Sequence, residues 1–155
     1  MNPLAKLAGL VFPACGKSEA EGLVLPPLGE LQHVKRPASP NSALAAPEDF
    51  SPKPDFVLPI YPLPAAALFD AICRVAAAAP RTYLQAIFPE KMAARWVART
   101  ALFNFPDVIV AQVSPRGEDK STLVLYSRSE YGYSDLGANR ARLKAWIGAL
   151  GRSLE

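Results

Sequence analysis

One histidine, His33, and two cysteines, Cys15 and Cys73, are all that this chain of 155 residues offers in soft or imidazole ligands. No C-x-x-C pair and no histidine cluster exists, so a zinc site has no support and no metal is expected. His33 lies in a proline-rich stretch, which removes a Ser-His-Asp or Cys-His arrangement from the rest of the chain. Lys/Arg runs are also missing. Residues 1–54 hold five basic and five acidic residues, and residues 55–155 hold twelve basic and nine acidic. The net charge of +3 is therefore scattered, without the basic stripe that nucleic-acid binders carry, and no nucleic-acid partner is expected. No stretch reaches the roughly 18–20 apolar residues of a spanning helix. No glycine loop has the spacing or the lysine of a phosphate cradle, and no cofactor is expected.

What is present is an ordinary globular composition: half the residues are apolar and 20 % are charged. That length buries one core without help from metal or disulfide. Ten of the 16 prolines precede residue 60, and residues 16–55 show no sustained period, so they read as a linker or arm. Residues 1–15 run from a charged start through the apolar Leu7 to Ala14 to Cys15, the outline of a bacterial lipoprotein signal. Three readings stay open here: export with Cys15 lipidated, cleaved export without lipid, and a cytosolic tail. Residues 56–155 then form a single domain.

In that domain Phe56–Ile60 reads as a strand and Pro64–Ala79 as a helix with Leu68, Ile72, Val75 and Ala79 inward, stopped by Pro80. The four alanines at 76–79 suggest close packing on a sheet. Strands follow at Thr82–Phe88, Arg95–Phe105 with room for a break near Ala101, Val108–Val113 and Leu123–Ser129, with Arg95 and Arg99 on a face open to solvent. A last helix starts at Leu136, with Leu143, Ile147 and Leu150 on its apolar stripe and Trp146 beside it. The order β-α-β-β-β-β-α predicts an α+β fold, an antiparallel sheet of about five strands with two helices on one face. By analogy it is helix-grip-like, which carries no function.

The densest chemistry lies in SRSEYGYSDLGANRAR, residues 127–142. Gly132 permits a sharp turn, and Ser134 or Asp135 supplies a helix cap. Asn139 and Arg140 fall on the apolar stripe between Leu136 and Leu143, where polar groups must find partners. Two readings follow. One is a structural lock tying the helix start to its surroundings, with Asp107 the first choice as partner of Arg140. The other is an anion site at the helix N-terminus, assisted by Arg128 and Arg140. Paired carboxylates among Asp107, Glu130 and Asp135 also raise acid–base catalysis.

The run LYSRSEYGYSDLGANRARLKAWI, with FPD at 105–107 and RPASPN at 36–41, resembles the domain of unknown function 1499 family. The PRT and RTALFNFPD segments are similar to its alphaproteobacterial branch. The resemblance covers Arg36 to the C-terminus and implies a bacterial, often membrane- or envelope-associated protein of unestablished biochemistry. Many relatives carry cysteines around the Pro-Asn motif; Ala38 and Ser42 stand there in this chain, so that clamp is missing. The leading expectation is a non-catalytic envelope protein, lipid-anchored through Cys15, that binds a small apolar or amphipathic ligand or a protein partner. The alternatives are an enzyme using Asp107, Asp135 and Arg140, and a cytoplasmic location.

Overall fold

The structure, a computed structural model, describes residues 1–29, 31, 34–37, 39–132 and 135–155. His33, Ala38, Tyr133 and Ser134 lie outside the described residues, and with them the capping and site role expected of Ser134.

The α+β class holds, with six strands among the described residues in place of about five. Strands β1 (Ser42–Pro47), β2 (Phe56–Leu58), β3 (Thr82–Phe88), β4 (Ala93–Arg99), β5 (Pro106–Pro115) and β6 (Ser121–Ser129) form one sheet in the order β2-β1-β6-β5-β4-β3. All neighbours are antiparallel except β1 and β2, which run parallel. The added strand comes from the stretch read as linker. SALAAP is short and ends in proline, so it shows no alternation; its five residues from Ala43 to Pro47 are all buried, because the strand sits inside the sheet and not on its edge. Asp55 secures the crossover from β1 to β2. Its carboxylate accepts from the Leu44 amide at 2.9 Å and pairs with Arg36 at 2.7 Å.

Two helices, α2 (Ala65–Ala78) and α3 (Ala138–Ser153), pack on one face of the sheet. Leu68, Ile72 and Val75 of α2 are buried there as their spacing requires, and Pro80 follows the helix end. From α3 come Leu143, Trp146 and Leu150, with the Trp146 ring edge-on to Trp96 of β4 at 5.6 Å. The alanine run divides its work. Ala76 is fully buried, whereas Ala77 and Ala78 are exposed, so only part of it meets the core.

The other face is not open to solvent, which corrects the reading of Arg95 and Arg99. Both are buried, and residues 14–26 cover them. Arg99 donates to the carbonyls of Ala14 (2.6 Å), Glu19 (3.0 Å) and Glu21 (2.7 Å), and Arg95 donates to that of Pro26 (2.7 Å). A segment without ladder partners has bare carbonyls, and buried guanidinium groups satisfy them. Before this segment lies a short helix, α1 (Pro3–Val11), capped by the Asn2 side chain accepting from the Ala5 amide at 2.8 Å.

Candidate functional site

Two neighbouring features compete for the role of site: a buried polar cluster at the start of α3, and a cleft running along α3 toward its C-terminus.

The cluster arises where the helix-covered sheet face turns polar. Register places Asp107 of β5 opposite Ser129 of β6, and Ser127 opposite Ile109, so hydroxyls and a carboxylate end an otherwise apolar face. The α3 start supplies the complement. Asn139, 0 % exposed, donates through Nδ2 to Asp135 (2.7 Å), to the Ser129 hydroxyl (2.9 Å) and to the Asn41 carbonyl (3.0 Å). Its Oδ1 accepts from the Ser127 hydroxyl (2.6 Å) and from Arg142 (2.8 Å). Arg142 also donates to Asp107 Oδ2 at 2.8 Å. Asp135 completes the helix start, accepting from the amides of Gly137 (2.8 Å) and Asn139 (3.0 Å). Gly137 precedes the helix with φ of +83°, a conformation that glycine adopts without strain.

Asn139 thus ties together the helix, the strand β6 and the arm, as a lock does. Asn41 extends the tie by donating to the Gly132 carbonyl at 2.9 Å, and Gly132 makes its turn at φ +91°. Asn41 Oδ1 is buried and has no partner among the described residues. Burial pushes the Asp107 carboxyl above the usual carboxylate range; Arg142 and Ser129 pull against that rise, and Asp135 adds to it.

Arg140 is not part of this cluster. Its side chain is 61 % exposed, 3.8 Å from Asp55 and 4.8 Å above the Phe56 ring. The partner of Asp107 is Arg142. The reason is helix phase: α3 begins at Ala138, and Leu136, 96 % exposed with φ +53°, is outside it. Counting back from Leu150, Trp146 and Leu143 puts Arg142 and Asn139 inward and Arg140 about 100° away. Arg128 is half-buried and pairs with Glu130 at 2.6 Å, apart from Arg140, so the two do not converge on an anion. Of the carboxylates considered for acid–base chemistry, Asp107 and Asp135 are consumed by the lock and Glu130 by Arg128. Cys15 is fully buried, with its thiol raised by burial, and its carbonyl accepts from Asn104 at 2.9 Å. Both cysteines are free thiols.

The cleft was not legible as a site. It has a volume of about 840 Å³ and lies between the C-terminal half of α2, the length of α3, and the ends of β3 and β4. It exists because both helices present small residues there. Ala71, Val75 and Ala78 line it from α2, and Ala138, Ala145 and Ala149 from α3. Spacings of four, seven and eleven residues keep the α3 alanines on one stripe. Leucines at those places would fill the space. Trp146 closes the floor, and Arg142 lies between cleft and lock. The signal was the alanine stripe, which reads equally as tight helix packing. Among the described residues no group of His, Cys, Asp and Glu is placed to hold a metal ion, and no helix is long and apolar enough to cross a membrane.

Neither a curated protein nor a solved structure matches this chain. A family model does, over residues 34–150, which takes in every strand and both packed helices up to Leu150. The matched stretch contains Asn41, Asp107, Ser127, Ser129, Asp135, Asn139 and Arg142, the whole of the lock. The chain belongs to the family described as protein of unknown function, DUF1499.

Proposed function

We propose that this protein is a non-catalytic binding domain whose cleft between α2 and α3 holds a small apolar or amphipathic molecule. The observation that carries the reading is the alanine stripe on both helices, which leaves an apolar space of about 840 Å³ beside Trp146. That volume falls in the range of about 300–1,000 Å³ common to small-molecule sites. Asp107 and Asp135, the carboxylates expected of an enzyme at this turn, are bonded within the lock.

Nile red, an uncharged apolar dye, tests the proposal. The wild-type chain is expected to bind it saturably with a rise in emission. Ala145→Phe should abolish that binding. Ala145 is an exposed helix position, so the same variant should melt within about 2–4 °C of wild type, a shift of roughly 1 kcal/mol. Equal dye binding by wild type and Ala145→Phe removes the cleft as the site.

The proposal also places the protein at the cell envelope, with Cys15 as its anchor once the preceding residues are removed. Intact mass of the membrane fraction measures this. A diacylated N-terminal Cys15 supports the placement, and a full-length chain in the soluble fraction rejects it.

A further inference from the structure

We infer that the cleft ligand carries an anionic head group, a carboxylate or a phosphate monoester, on an apolar tail; this rests on the cleft being the binding site. Five of the chain's ten arginines border this cleft: Arg74, Arg81, Arg99, Arg142 and Arg152, although the Arg99 guanidinium itself lies on the arm-side face of the sheet. No aspartate or glutamate is among the described residues that line it.

The five are not equivalent. Arg142 is spent on Asp107 and Asn139, and Arg99 on the carbonyls of the arm. Arg74 of α2 and Arg152 of α3 have no ion pair among the described residues. Among the described residues Arg81 commits only its Nε, which donates to the Arg99 carbonyl at 3.0 Å, and its terminal nitrogens are open to a ligand. These three arise from three separate pieces of chain: α2, the turn between α2 and β3, and α3. A solvated arginine needs no explanation, but three bordering one apolar-floored cleft, with no carboxylate among its described lining, give that cleft a positive rim. Like charges beside a low-dielectric wall repel one another and focus a positive potential into the cleft.

Backbone geometry at Arg81 points the same way. Its φ is +49°, a left-handed conformation unfavourable for a side-chain-bearing residue. Bonds on both sides hold it there, since the Arg99 amide donates to the Arg81 carbonyl at 2.9 Å while the Arg81 side chain reaches back to the Arg99 carbonyl. Over-determined backbone of this kind accumulates where a side chain must be aimed. Planar guanidinium forks match carboxylate and phosphate oxygens in pairs. The alanine floor, with Trp146, takes the tail.

The test is displacement of Nile red from the full chain by four amphiphiles that share one tail: dodecanoate, dodecyl phosphate, dodecanol and dodecyltrimethylammonium. The two anions are expected to displace dye at roughly tenfold lower concentration than dodecanol, and the cation at higher concentration. Added salt should weaken only the anions. Dodecyl phosphate stronger than dodecanoate assigns a phosphate head, and equality assigns a carboxylate as sufficient. In Arg74→Gln/Arg152→Gln the anions should fall to the level of dodecanol, while Nile red itself still binds and so reports an intact cleft. Arg140→Gln, away from the cleft, should change nothing. Equal potency of dodecanol and dodecanoate on the wild type overturns the anionic head and leaves the cleft reading standing. Loss of Nile red binding to wild type itself overturns both.

Discussion

Arg140 and Arg142 are two residues apart and have opposite environments, which makes them a clean pair. Arg140→Ala removes an exposed ion pair with Asp55 and a contact with the Phe56 ring, so it should cost within about 1 kcal/mol. Arg142→Ala strands the buried Asp107 and opens two bonds to Asn139 and Ser127, and should cost about 3–5 kcal/mol. Thermal melts compare them directly, and a larger loss for Arg140→Ala contradicts the assignment. Combined with Asp107→Asn, Arg142→Ala should be less than additive, since both changes break one pair. The pH dependence has a definite sign. The folded-state carboxyl of Asp107 titrates above its unfolded value, so its contribution is largest below about pH 4 and falls away as pH rises through the folded value. Arg142 opposes that rise, and removing it steepens the dependence. The melting deficit of Arg142→Ala should therefore narrow as pH is lowered from neutrality and Asp107 takes up its proton. A deficit that does not change on acidification means that Asp107 stays ionised in the fold.

Elements were legible where a side-chain period carried them. The α2 stripe of Leu68, Ile72 and Val75 and the strand around Leu123–Ser129 follow from spacing alone. The chemistry of the lock was half legible. Asn139 stands out as an amide on an apolar stripe, but its phase depends on where α3 begins, and Leu136 invites a start two residues early. Strand β1 and the covered face of β4 were not legible, for one physical reason. Both depend on partners distant in sequence: Ala43 lies opposite Ser127, and Arg99 reaches the carbonyls of residues 14–21. No local period records such contacts. The arm assignment has its own consequence. Arg99→Gln should release the 14–21 segment, so trypsin should cut after Lys17 faster than in wild type while residues 42–150 stay resistant. Unchanged cleavage at Lys17 means that Arg99 does not hold the segment.

Over the whole molecule the sheet divides two tasks. Its arm-side face is sealed by backbone carbonyls on buried arginines. The helix side ends in the lock around Asn139, which fixes the N-terminal end of α3 to β6 and to the chain before β1. With that end fixed, the remaining length of α3 stands beside α2 across a line of alanines, and the cleft is the space they leave. The central claim is that polar chemistry at 127–142 is structural and that ligand chemistry lies along the alanine stripes. Hydrogen exchange of the full chain with and without dodecanoate separates the two most directly. New protection is expected in the amides of residues 71–82 and 145–153, with residues 127–132 and the Asn41 segment unchanged because the lock is already closed. Protection appearing around 127–132 and Asn41 instead, with none along 145–153, would place the ligand in the lock and contradict the account.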